Sequence, residues 1–121
     1  MKTNYDISGA ELEVMQILWQ SDSPMKVQEV CDMLEPGKWK YKTVATLLLR
    51  LEEKGAVTSE KISKSNYYTP VLAKGDYTSY KTKSLVQKLY NGSVKDLAVS
   101  LFKSDDMSKE DIEEIRKMFN L

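Results

Sequence analysis

The chain contains no histidine and one cysteine, Cys31. The first absence excludes Ser-His-Asp and Cys-His catalysis, histidine-ligated metals and histidine-held haem. The lone thiol excludes an intramolecular disulfide and any multi-cysteine zinc or iron–sulfur site, and it fits a reducing cytoplasm. Glycine is sparse, at positions 9, 37, 55, 75 and 92, too widely spaced for a P-loop or a G-x-G-x-x-G turn. No apolar run approaches the roughly 18 residues of a membrane span. The opening M-K-T-N-Y-D-I-S-G-A-E has no apolar core of the signal-peptide kind. The acid pairs Asp105-Asp106 and Glu113-Glu114 fall beside a helix start and on an exposed helix, where solvated surface accounts for them better than acid–base catalysis. The expectation is a cytoplasmic protein that is not an enzyme and needs no cofactor or metal.

What is present is charge, and it is segregated. The 18 bases and 18 acids cancel over the 121 residues. Residues 1–35 nevertheless sum to −5, residues 36–88 to +7 and residues 89–121 to −2. A basic middle between acidic ends suggests a face made for an anion; solvated lysines clustered by chance are the alternative.

Apolar spacing divides the chain into elements. Ser8 and Glu11 form a capping box, Ile7 and Leu12 occupy the staple positions around it, and Leu12, Met15, Leu18 and Trp19 recur at helical spacing. This helix ends before Pro24. A short second helix carries Val27, Val30, Cys31 and Leu34 on one stripe and stops at Glu35-Pro36-Gly37, so Cys31 reads as a small core residue. The third helix spans about residues 41–54, with Gly55 placed for a left-handed backbone. Val44, Leu47, Leu48 and Leu51 make its core stripe; Lys42, Thr43, Thr46, Leu49, Arg50 and Glu53 lie opposite. Residues 56–62 and 67–71 read as a β-hairpin with a polar turn at 63–66, Asn66 tolerating positive φ and Pro70 confining the second strand to an edge or end. Three further helices follow. One covers about 74–90, one begins at the Ser93 cap, and one begins at the Ser108 cap with a Met107/Ile112 staple.

Helix, helix, turn, helix and basic hairpin is the order of a winged helix-turn-helix. The fold class expected is mainly α with a small β-hairpin wing, residues 1–73 forming a DNA-binding domain. The third helix would lie in the major groove of double-stranded DNA, with Thr43, Thr46 and Arg50 at base edges and Lys42 at the helix start. Lys38, Lys40, Lys61 and Lys64 would meet phosphates. Each residue has a blander reading: Arg50 as a surface partner of Glu52 or Glu53, Trp39 as a core aromatic, Tyr67 and Tyr68 as strand residues, Leu49 as part of a protein contact.

Residues 74–121 form three short amphipathic helices, too small to bury much apolar surface alone. The first domain could cover their apolar faces, but a second copy of the chain is the expected partner, through Leu85, Leu89, Leu97, Leu101, Phe102, Ile112, Ile115 and Phe119. A twofold dimer would read a palindromic operator whose half-sites lie about 34–36 Å apart, or a multiple of that.

The segment W-K-Y-K-T-V-A-T-L-L-L-R-L-E-E-K-G-A-V (39–57) resembles the recognition-helix segment of the penicillinase-repressor family. I-S-G-A-E-L-E-V-M-Q-I-L-W (7–19) is similar to the family's first helix, and K-L-Y-N-G-S-V-K-D-L (88–97) to the hinge of its dimerisation region. The resemblance implies a dimeric winged-helix repressor of resistance genes. In the β-lactam branch a sensor-controlled protease relieves repression by cutting an Asn-Phe pair; the pair at that position here is Ser100-Leu101. In the copper branch a C-terminal cysteine cluster binds metal; here no cysteine follows Cys31. Lys26 and Tyr41 stand where the family often has helix-capping residues. A reading from another class keeps the winged helix as the scaffold of a protein-interaction adaptor without specific DNA binding, with Leu49 and the tyrosines making the contact.

Overall fold

A computed structural model describes residues 5–118. Its elements are α1 (Gly9–Gln20), α2 (Val27–Met33), α3 (Tyr41–Glu53), β1 (Val57–Ile62), β2 (Ser65–Pro70), α4 (Lys74–Tyr90), α5 (Val94–Lys103) and α6 (Lys109–Met118). The mainly α class with one antiparallel hairpin is as the sequence predicts. Two compact units divide the chain, one running to Thr78 and one starting at Ser79, so the first turn of α4 belongs to the first unit.

The first unit is built on α1, α2 and α3. Ser8 Oγ accepts the Glu11 amide at 3.1 Å, and the Glu11 carboxylate accepts the Ser8 amide at 2.8 Å, which is the expected capping box. Val14, Met15 and Leu18 of α1 pack with Val30 of α2 and with Val44, Leu47, Leu48 and Leu51 of α3 in one buried cluster. The α3 stripe is buried as its spacing predicts. On α1 the stripe is rotated: Val14 is fully buried, while Leu12 and Trp19 sit at its margin. Trp19 instead donates its indole N–H to the Leu72 carbonyl at 2.8 Å, and its ring lies 6.0 Å from that of buried Tyr77. Helix α2 stops one residue short of Leu34, which serves as its C-cap. Cys31 packs against the core; burial, then the neighbouring Asp32 carboxylate, pushes its thiol up, which makes it a poor nucleophile.

Helix α3 ends in a Schellman motif. The Ala56 amide reaches the Leu51 carbonyl at 2.9 Å, the Gly55 amide reaches Glu52 at 3.0 Å, and Gly55 adopts φ 77° as expected. The hairpin departs from its expected form. The first strand starts one residue later than expected and the second starts two residues earlier, pairing from Val57↔Pro70 to Ile62↔Ser65, so the turn is the two residues Ser63 and Lys64 rather than 63–66. Both have positive φ, 53° and 57°, as a primed two-residue turn requires to match strand twist. Asn66 is therefore a strand residue opposite Lys61. A third segment joins the sheet: Met25 and Tyr68 exchange amide–carbonyl bonds of 3.0 and 2.8 Å. Met25 has no periodic neighbours, so nothing in the spacing marks it as a strand.

In the second unit, α5 and α6 start at the expected caps. Ser93 Oγ accepts the Asp96 amide and Ser108 Oγ accepts the Asp111 amide. Helix α4 ends with Asn91 and Gly92 both left-handed. Apart from buried Val86, this unit leaves most of its apolar side chains open: Leu85, Leu89, Leu101 and Phe102 are exposed, and Leu97, Ile112 and Ile115 are half-buried. Phe119 lies outside the described residues. No helix among the described residues is long and apolar enough to cross a membrane.

Candidate nucleic-acid interface

The buried stripe of α3 fixes what its other side shows. With Val44, Leu47, Leu48 and Leu51 turned into the core, Lys42, Thr43, Thr46, Leu49, Arg50 and Glu53 are all exposed on the opposite side. Lys40 occupies the N-cap position without a side-chain capping bond, and Tyr41, the first helical residue, is 56% exposed. The structure thus brings Lys40, Lys42, Thr43, Thr46 and Arg50 to one helix.

Arg50 has no ion pair with a described acid, and Glu52 is occupied elsewhere, accepting the Ser59 hydroxyl at 2.5 Å. The alternative of an Arg50–Glu pair is absent from the structure. Arg50 therefore presents its fork of donors to solvent, in the form that suits a guanine edge or a phosphate. Thr46 is different. Its hydroxyl donates to the Lys42 carbonyl at 3.0 Å, so the donor is committed inside the helix. What Thr46 offers outward is its methyl and its oxygen lone pairs, which suit a thymine methyl or a base amino group. Leu49, 52% exposed, adds an apolar surface one turn from Thr46 and Ala45.

The lysines are not equivalent. Lys61 is exposed on β1 and Lys64 at the wing tip, and neither has a partner acid among the described residues. Lys38 is paired with Glu13 of α1 and lies 5.2 Å from the centre of the Trp39 ring. A phosphate contact by Lys38 must displace a carboxylate, which sets it apart from the other expected phosphate ligands. Trp39 packs at the core margin, as read from sequence. Of the two wing tyrosines, Tyr68 is a core residue, 6% exposed, its phenol pushed up by burial and then by the Glu52 charge. Tyr67 is half-buried, and the Lys26 ammonium sits 5.9 Å from its ring centre.

Two residues near this face have structural settings that spacing did not reveal. Lys54, at the C-cap of α3, reaches buried Glu11 at 2.6 Å and the Asp6 carbonyl at 2.6 Å. Lys26, read as a departure from a capping residue, precedes α2, and its backbone amide donates to Glu29 at 2.8 Å. Its side chain carries no acceptor and cannot close the box. The available signal was that Lys26 is a base inside the otherwise acidic stretch 1–35, where Lys2 is the only other. At the other end of the chain, Ser100 and Leu101 are both exposed within α5. No group of His, Cys, Asp and Glu suited to hold a metal stands together among the described residues.

A family model described as penicillinase repressor matches residues 7–120. The chain is 34% identical over 115 residues to the penicillinase repressor of Bacillus licheniformis, covering 95% of this chain and 90% of that protein. It is 30% identical over 116 residues to the methicillin resistance regulatory protein MecI of Staphylococcus aureus (strain N315), covering 96% and 94%. The solution structure of the DNA-binding domain of the repressor BlaI superposes with a TM-score of 0.55 at 40% identity, covering 64% of this chain and 94% of that one.

Proposed function

Because this chain belongs to the penicillinase-repressor family, we infer that it is a DNA-binding transcriptional repressor that acts as a cytoplasmic homodimer on palindromic operators. The observation that carries the reading is the solvent face of α3. It presents unpaired Arg50 beside Lys42, Thr43 and Thr46, and the wing adds Lys61 and Lys64. Arg50 reads a base, Thr46 and Thr43 allow close approach, and the lysines hold the backbone. Residues 1–73 are assigned to DNA and 74–121 to the dimer contact, where exposed Leu89, Leu101 and Phe102 need a cover. Twofold pairing doubles the number of base pairs read by one short helix. Control of resistance genes follows from the named relatives rather than from any residue of the site; release by a sensor-controlled protease rests on the family resemblance alone, and the pair at the cleavage position is Ser100-Leu101.

The test is selection of duplexes from a random pool at about physiological salt, where non-specific binding is weak. Enrichment of a twofold-symmetric site is the expected result. A folded protein that enriches no site would instead support the adaptor reading, in which exposed Leu49 and half-buried Tyr67 form a protein contact, Tyr68 being part of the core.

A further inference from the structure

Between the wing and the starts of α2 and α3 lies an open cleft of about 250 Å³. It is lined by Lys26 and Gln28, by Tyr41, and by Lys64, Ser65 and Asn66 of the wing. We propose that Lys26, Tyr41 and Lys64 together seat one phosphate of the DNA strand that passes between the wing and the start of α3. The inference rests on the DNA-binding reading and deepens it, adding Lys26 and Tyr41 to the residues that face DNA.

Four observations lead there. The cleft holds two ammonium groups and no carboxylate lines it, so its charge is unbalanced until an anion arrives. Its polar lining is rich in donors: two lysines, the Tyr41 and Ser65 hydroxyls and the Asn66 amide. Gln28 does not compete for the anion, since its amide nitrogen donates to Asp32 at 2.9 Å. Finally, the cleft is preformed. Met25 is bonded in both directions to Tyr68 of β2, which pins the residue before Lys26 to the wing, and the Lys26 ammonium rests 5.9 Å from the Tyr67 ring centre.

The position fits a backbone contact rather than base reading. Tyr41 opens α3, immediately before Lys42 and Thr43, so a duplex that receives those side chains in its major groove brings its bordering strand past the cleft. Lys64, at the wing tip, closes the cleft from the other side. A single phosphate held by both lysines makes their contributions interdependent, which separates this arrangement from two independent surface contacts.

The experiment uses the full-length chain and the duplex selected from the random pool, with Lys26→Met, Lys64→Met, the double variant and Tyr41→Phe. Methionine keeps an apolar stem against Tyr67 and removes the charge. Loss of one phosphate contact weakens binding about fivefold at roughly 0.15 M salt and lowers the salt slope by about 0.9. The expected double variant loses about 0.9 in slope, not about 1.8, and Lys26→Arg restores binding. Phosphate-ethylation interference should show one backbone position per half-site that matters to the wild type and to neither single methionine variant. Tyr41→Phe should weaken binding without changing the slope. Unchanged affinity and interference in Lys26→Met, with Arg50→Ala still impaired, overturns the proposal and leaves DNA binding intact. Weaker binding of Lys26→Met at an unchanged slope also overturns it, because the residue then acts through folding. A wild-type chain that selects no duplex overturns both.

Discussion

The Lys54 ammonium lies 2.6 Å from the Glu11 carboxylate, joining the C-terminus of α3 to the N-terminus of α1. Glu11 is only 2% exposed, yet its charge is answered: the Ser8 amide and the Lys54 ammonium both donate to Oε1, and neither of its oxygens is buried without a partner. Lys54 also donates to the Asp6 carbonyl, so one side chain ties α3 to the chain leading into α1. A buried carboxylate is tolerable only when so paired.

Removing the cation alone should therefore be costly. Breaking a buried pair costs about 3–5 kcal/mol, and since Lys54 is partly solvated, Lys54→Met is expected to lose about 2–3 kcal/mol. Urea unfolding of the two proteins checks this. A loss under about 0.5 kcal/mol would mean that water replaces the ammonium without penalty.

The same pair sets an acid response. Burial acts to raise the Glu11 pKa, but the Lys54 hydrogen bond, the Ser8 bonds and the Lys54 charge outweigh it, and the net shift is downward. A carboxylate whose folded pKa lies below its unfolded value stabilises the fold above the unfolded value, about 4.3, and that stability is lost as pH falls through the folded one. The stability gap between wild type and Glu11→Gln should be constant near neutrality and shrink as pH drops below about 4.3. A gap independent of pH down to acid unfolding would rule out the linkage.

On the exposed face of α3, Arg50→Ala is expected to cost about 1–3 kcal/mol of operator affinity and to relax preference at one base pair. Lys61→Ala, at a proposed phosphate contact, should weaken all sequences alike and reduce the salt slope by about 0.9. Titration of the selected duplex and of single-base variants distinguishes the two. An Arg50→Ala protein that still discriminates every single-base variant from the parent site as the wild type does would remove Arg50 from base reading.

The wing tip carries its own conflict between stability and charge. Lys64 holds φ 57° without being glycine. Relief of a left-handed backbone is worth about 1–2 kcal/mol, less about 0.5–1 kcal/mol for the greater freedom of unfolded glycine. Lys64→Gly should thus stabilise the chain by roughly 0.5–1 kcal/mol while weakening DNA binding about fivefold at roughly 0.15 M salt. Thermal unfolding and binding on the same preparation give both signs; a variant that loses stability would place the strain elsewhere.

Phe102, exposed on α5, borders an open space of about 430 Å³ with Ile112, Ile115 and Arg116. If a second copy covers this apolar surface, Phe102→Asp should move the protein from dimer to monomer in sedimentation at micromolar concentration, with helical content kept. A wild-type chain already monomeric there would end the assignment of 74–121 to dimer contact.

The sequence alone determined the helices and the exposed face of α3. Ser8 with Glu11, the stripe Val44, Leu47, Leu48 and Leu51, Gly55, and the Ser93 and Ser108 caps are local signals, since each depends on neighbours within one or two helical turns. The exposed set on α3 followed from the same 3.6-residue period. Tertiary structure decided whatever depends on partners far along the chain. The Met25–Tyr68 bridge, the Trp19–Leu72 bond and the Lys54–Glu11 pair span 43 to 53 residues and leave no period to read. The turn at Ser63-Lys64 was likewise set by strand register, because pairing from Val57↔Pro70 leaves two residues for the loop whatever their preference for positive φ. The cleft of Lys26, Tyr41 and Lys64 exists only because those long-range contacts bring three separate segments together.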